Sequence, residues 1–363
     1  MAVVRQELAT ARGTARAVLA AAESARNEAQ RRRQLVREAY STCMAQLADA
    51  RDAARQDILR RFHTEAAALS GNVESLAAIC ASGAAGAAWP SWGPTDPDRD
   101  PQPGLLRFGM IAYDQPVAPG QAPTGRRTML PALVPLLDAA HLELAGDQLG
   151  VDGVIAGLLL RALGTTRPGD LQITVFDPEH LGGTLAGFAP LGSAGVLSFV
   201  GPGGLGRLLD ELVEHVRRIN ESVLAGEHAT LAELTAATAG RRPEPWRVVV
   251  LLADPASARS LTTDQHAQLD RIVRTGVACG VHLIARGLQL PERPAVQRIT
   301  VHGGNATCDI TGDLPIQVDQ APPADRVAAF CRSMAERLRA GPPPARFTDL
   351  EPETYWTESS AER

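Results

Sequence analysis

The stretch best equipped for chemistry is 142–163, LELAGDQLGVDGVIAGLLLRAL, where an apolar run breaks at a glycine-containing turn and resumes with a helical pattern. A strand, a small-residue loop and a helix in that order place helix N-terminal amides where an anion can be held. The phosphate-cradling pattern G-x-x-x-x-G-K-[ST] adds a lysine that neutralises the β- and γ-phosphates and a hydroxyl that binds Mg²⁺. With Gly146 as the first glycine, Asp147 to Gly150 fill the loop. Val151 then stands at the second glycine, Asp152 at the lysine and Gly153 at the hydroxyl. Gly146, Asp147, Gly150, Asp152 and Gly153 thus outline a degenerate nucleotide loop. A carboxylate about 4 Å from a phosphate costs about 4 kcal/mol at an effective dielectric of 20. The plain alternative is a turn kept for packing.

The second half of such a site is a hydrophobic strand ending in an acid, and 247–254, RVVVLLAD, has that form. Asp254 is the Walker-B-like candidate for holding Mg²⁺ through water, or else simply a strand-end turn residue. An active ATPase follows it with Glu, whereas Pro255 follows here. A competing motif, GPGGLG at 201–206, satisfies the dinucleotide pattern G-x-G-x-x-G. Its candidate ribose acid, Glu221, falls inside a helical run instead of at a strand end, which favours a glycine-rich helix entry.

Composition closes several routes. Lys plus Arg is 36, and all of them are arginine: the chain contains no lysine. A Schiff base, a lysine general base and a P-loop lysine are therefore excluded for this polypeptide acting alone. The net charge of −5 gives no overall basic field for nucleic acid. The five cysteines form no CxxC pair and the eight histidines no HExxH, so no metal is expected and free buried thiols are. No membrane span is expected, since Asp152 and Arg161 interrupt the best apolar run. No secretory leader is read at the N-terminus, and the expected location is cytoplasmic.

The elements that must position these groups follow from the pattern. Residues 1–82 are rich in Ala, Arg, Glu and Gln and contain no proline, which predicts a long helical coiled-coil arm that self-associates. Phe62, Ala66, Leu69, Val73, Leu76 and Cys80 form its stronger seam; Leu8, Ala15, Ala22, Ala29, Val36 and Cys43 form a weaker one. The run Arg31 to Arg33 reads as a solvated face. Residues 83–129 read as a Pro/Gly-rich linker with a short strand at 105–113. Residues 130–318 read as an α/β domain with a mostly parallel sheet and flanking helices, and 319–363 as a C-terminal helix and tail. Strands are predicted at 141–146, 170–177, 195–200, 247–254, 281–286 and 297–302. Helices are predicted at 152–164, 204–224, 228–239, 263–276 and 323–340. The strands 141–146 and 247–254 are expected to be parallel neighbours.

Several segments, in order, resemble FtsK/SpoIIIE-type DNA-translocating ATPases of the HerA/FtsK-like P-loop superfamily. They are WPSW at 89–92, LPALVPLLDAAHLELAGD at 130–147, LLRALGTTRPGDLQITVFDPEHLGG at 159–183 and WRVVVLLADPAS at 246–257. LDRIVRTGVACGVHLI at 269–284 and YWTESS at 355–360 complete the set. The resemblance implies a RecA/FtsK-like fold, a first module with a degenerate Walker A loop, and an active module elsewhere that binds ATP and Mg²⁺ and moves DNA. YWTESS is similar to the junction before that module, and the resemblance implies that this chain is an N-terminal half, a fragment or one product of a split or truncated gene. Asp152, Gly153 and Pro255 depart from an active motor, so no nucleotide cofactor is expected for this chain alone. The leading expectation is a module for assembly or regulation of the motor, with an active FtsK-like subunit as partner and DNA reached through the complex. The alternatives are a stand-alone coiled-coil scaffold, and an ATP-binding translocase whose site is completed by another chain.

Overall fold

The computed structural model describes residues 2–80, 83–96, 104–114, 117, 127–238, 240, 242–254, 259 and 261–341. Pro255 and YWTESS lie outside the described residues. Two units are distinguished: among the described residues, 2–70 with Val117 form one, and 71–114 with 127–341 form the other.

The first unit is built on α1, a 79-residue helix, Ala2–Cys80, whose last turns belong to the second unit. Continuous helix is what a proline-free, Ala/Arg/Glu-rich sequence dictates. Many of its apolar side chains stand in water, Val18 63% exposed, Val36 67%, Tyr40 66% and Leu69 58%, whereas Leu59, Phe62, Ala66 and Val73 are half-buried. The arginines at 31–33 are exposed as expected, Arg32 reaching only to Glu28 one turn back.

The second unit is an α/β body around one ten-stranded sheet. Its strands are β1 Leu105–Asp114, β2 Arg127–Pro135, β3 His141–Gly146, β4 Leu171–Phe176 and β5 Leu197–Val200. β6 Trp246–Leu252, β7 Val281–Arg286, β8 Val296–His302, β9 Asn305–Cys308 and β10 Gly312–Val318 complete it. The order is β2-β1-β10-β9-β8-β3-β7-β6-β4-β5. From β8 to β5 the strands are parallel; from β8 through β9, β10 and β1 to β2 they are antiparallel. The expected parallel sheet is present, with an antiparallel wing that the sequence reading did not foresee. The strand predicted at 105–113 is part of that wing. A second correction concerns order: β7 lies between β3 and β6, so those two are not neighbours.

Helices α2 Gln148–Thr165 and α6 Ala324–Ala340 cover one face of the sheet. Helices α3 Leu205–Arg218, α4 Leu231–Ala237 and α5 Thr263–Thr275 cover the other. The strand β6 shows the logic: Val248, Val250 and Leu252 enter the first layer, Val249 and Leu251 the second. Leu142, Leu144, Ile173, Val175, Val249, Leu251 and Ile284 are all buried in this one sheet, as expected. One helix among the described residues, Gln148–Thr165, is apolar and long enough to cross a membrane by length and composition alone, as a core helix also is. It is 67% buried inside the protein.

The segment read as a linker carries two side chains that are bolted into this body. Trp89 and Trp92 are buried, their indole N–H groups donating to the carbonyls of Gln320 at 2.7 Å and Ala84 at 2.8 Å. Arg161 of α2, fully buried, stacks over Trp89 at 4.2 Å and donates to Ala84 and Ala87 carbonyls and to Asp319. Arg107 of β1 holds the other oxygen of Asp319 at 2.7 Å. A buried arginine needs such a ring of acceptors.

Candidate functional site

Because six strands run parallel, their C-terminal ends share one edge of the sheet, the edge at which open α/β sheets hold ligands. Gly146 ends β3 and Asp147 follows it, Asp177 follows β4, Asp254 lies two residues past β6, Arg286 ends β7, and Gly303 follows β8.

At the end of β3 the chain turns within one residue. Gly146 has φ +115°, and a Cβ there would stand 1.8 Å from the Val301 carbonyl oxygen, so only glycine fits. Asp147 is the N-cap, and α2 begins at once at Gln148. The helix predicted from 152 therefore starts four residues earlier, and residues 148–151 lie inside it instead of forming an open loop. One Asp147 carboxylate oxygen accepts the Gly150 N–H at 2.9 Å, and the other accepts the Gly303 N–H at 3.2 Å. The Asp147 carbonyl takes the Val151 N–H at 3.0 Å. The positive end of α2 already faces an anion, and that anion is the protein's own.

Asp152 and Gly153 lie in the first turns of α2. Asp152 is tied to Arg286 across the sheet edge at 2.7 Å. Burial pushes its carboxyl above the usual range, against the pull of Arg286 and His180. Asp152, read from the sequence as a like charge where phosphates would lie, is paired with Arg286. Gly153 packs on Ala321; a Cβ would lie 3.3 Å from that methyl, leaving little room for a Ser or Thr hydroxyl.

Asp254 is half-buried beyond β6, where the Ala253 N–H is fixed to the Arg286 carbonyl at 2.9 Å. The structure thus brings Gly146, Asp147 and Gly150 together and sets Asp152 against Arg286. Asp254 stands at the end of a strand two places from β3.

Sequence reasoning missed Asp177, Arg286 and Gly303. Asp177 is 1% exposed and accepts the His180 and Gly182 amides at 3.0 and 3.1 Å, holding a turn in which Leu181 has φ +51°. Its signal was available, since it ends a predicted strand and precedes a proline, as Asp254 does. Glu221, the competing ribose acid, lies in a π-helical turn, Ile219–Val223, and binds Arg217. Among the described residues no cluster of His, Cys, Asp or Glu is arranged to hold a metal ion. Cys279, Cys308 and Cys331 are free and buried, whereas Cys43 is exposed.

No protein-family model matches the sequence, and no curated protein matches it. Among solved structures, EssC (ATPases 2 and 3) from Geobacillus thermodenitrificans superposes with a TM-score of 0.50 and 15% identity, over 65% of this chain and 49% of that one. Thermomonospora curvata EccC (ATPases 2 and 3), in complex with a signal sequence peptide, gives 0.46 and 15%, over 65% and 47%. The pCW3 conjugation coupling protein TcpA gives 0.45 and 11%, over 67% and 73%. The chain spans about half the length of the EssC and EccC chains it resembles. The likeness to EssC establishes a shared fold: the chain has the α/β architecture of an ATPase domain.

Proposed function

We propose that this chain is an FtsK/SpoIIIE-like module that does not hydrolyse ATP and that serves the assembly or regulation of a DNA-translocating motor. One observation carries the reading: the Asp147 carboxylate sits on the Gly150 and Gly303 amides, at the helix N-terminus where a phosphate would be cradled. The residues present do not fit ATP–Mg²⁺. No lysine exists in the chain, Asp152 is committed to Arg286, and Gly153 abuts Ala321. Catalysis in the assembly belongs to modules with an intact phosphate loop. This chain supplies an α/β body of matching shape and, in residues 1–82, an arm for self-association. DNA is reached through the complex, in the cytoplasm.

The test adds the purified chain to an FtsK-type ATPase with an intact GxxxxGK[ST] loop encoded beside it, and follows phosphate release with and without duplex DNA. The chain alone gives no turnover, and adding it changes the rate of the active enzyme. Turnover by the chain alone, or no effect on the partner at saturating concentration, overturns the proposal.

A further inference from the structure

We infer that α1 pairs with a second copy of this chain in the antiparallel direction, placing Ala15 opposite Leu69, Ala22 opposite Phe62 and Arg32 opposite Asp52. The inference rests on the reading of the arm as a self-association device, and adds its direction and register.

Three independent features of the helix select this pairing. The first is spacing. Positions 15, 18, 22, 25, 29 and 32 advance by 3, 4, 3, 4 and 3 residues, and positions 69, 66, 62, 59, 55 and 52 retreat by the same steps. Two such rows, run in opposite directions, meet layer by layer, as facing a and d positions of an antiparallel coiled coil require. The second is volume. In this register the large side chains Leu59, Phe62 and Leu69 and the long stem of Arg55 each face an alanine, and Val18 faces Ala66; Leu59, Phe62 and Ala66 are half-buried in the single chain, and pairing completes their burial. A parallel pair would stack Phe62 on Phe62 at one end and Ala22 on Ala22 towards the other, forcing the axes apart at one end and leaving voids at the other.

The third feature is charge. Between residues 2 and 40 there are eight arginines and four acids; between 41 and 80 there are four arginines and five acids. Antiparallel pairing lays the basic half on the acidic half, whereas parallel pairing lays basic on basic. Within the seam itself Arg32 meets Asp52, twice by symmetry; in parallel the same positions would oppose Arg to Arg and Asp to Asp. Both side chains are well exposed, at 76% and 60%, and among the described residues their ion pairs are with helix neighbours. The two-fold axis then falls between Tyr40 and Met44, which are exposed and face each other across it.

The test uses the full chain in a Cys43→Ser, Cys80→Ser background. Chains carrying Ala15→Cys are mixed with chains carrying Leu69→Cys, mildly oxidised, and the disulfide is mapped by mass spectrometry. The expected product links positions 15 and 69, and neither variant cross-links alone. In sedimentation, Arg32→Asp weakens the dimer at least about tenfold, because like charges then face each other across a buried seam. Adding Asp52→Arg restores it to within about threefold of the parent. Self-cross-linking of either single variant, or no rescue by the second charge, overturns the antiparallel register while leaving a dimer. A chain that sediments as a monomer at tens of micromolar overturns the self-association reading as well.

Discussion

Arg161→Met separates a packed segment from a tether at residues 83–96. Arg161 donates to the Ala87 carbonyl at 2.8 Å, to Ala84 at 3.2 Å and to Asp319 at 3.2 Å while lying over Trp89. Burial lowers its pKa only to about 10, so it is charged at neutral pH. Methionine keeps most of the volume and removes every donor. Ala84 keeps its bond from Trp92, and Asp319 keeps Arg107, so the losses concentrate on the Ala87 carbonyl, the half-vacated carboxylate and the stacked ring. Breaking a buried ion pair from one side costs about 3–5 kcal/mol, and the surviving Arg107 contact puts this case near 3. At about 2–4 °C per kcal/mol for a body of this size, Tm falls by about 6–12 °C. Urea denaturation gives the free energy, and tryptophan emission reports loss of the Trp89 environment. A loss under about 1 kcal/mol with unchanged emission would refute the reasoning, because no charged network could then be fastening the segment.

The end of β3 supports a second expectation. Asp147→Ala loses about 1–2 kcal/mol by removing the cap and the bridge to Gly303, whereas Asp147→Asn keeps an acceptor for the Gly150 cap and loses only the Gly303 bridge, about 0.5–1 kcal/mol, measured by urea midpoint. Gly146→Ala, with its Cβ against the Val301 carbonyl, costs about 3 kcal/mol or more, read as loss of soluble, cooperatively unfolding protein. Burial lowers the pKa of His141 to about 3 and of His215 and His282 to about 4. The unfolded chain therefore binds more protons than the native state below pH 6.5, and stability is full above that value and falls between about 6.5 and 4. Urea midpoints across that window should decline with acid, and less steeply in a His215→Gln variant.

The parallel block was legible because its strands are near-continuous apolar runs: HLELAG, RVVVLL and VHLIAR cannot face water on either side. The antiparallel wing was not. In β2, Pro131 and Pro135 read as breakers, yet β2 is an edge strand with one neighbour, where a missing N–H is tolerated. Pro315 lies in β10 within a register shift against β9, the other place a strand accepts proline. Trp89 and Trp92 gave no local sign of burial, because Arg161, Asp319 and Gln320 come from elsewhere in the chain. The capping role of Asp147, which the sequence placed in the loop, could have been found: an Asp just before a periodic apolar run is an N-cap signal, and reading the helix from 152 hid it. Its second partner, Gly303, and the Arg286 that answers Asp152 are brought in only by strand order.

The claim that the Asp147 carboxylate stands in for a nucleotide phosphate is tested most directly by calorimetric titration of the purified full chain with ATP–Mg²⁺. The predicted result is no saturable heat up to millimolar nucleotide. A micromolar Kd, abolished by Asp254→Ala, would contradict the account and establish a working site at this sheet edge.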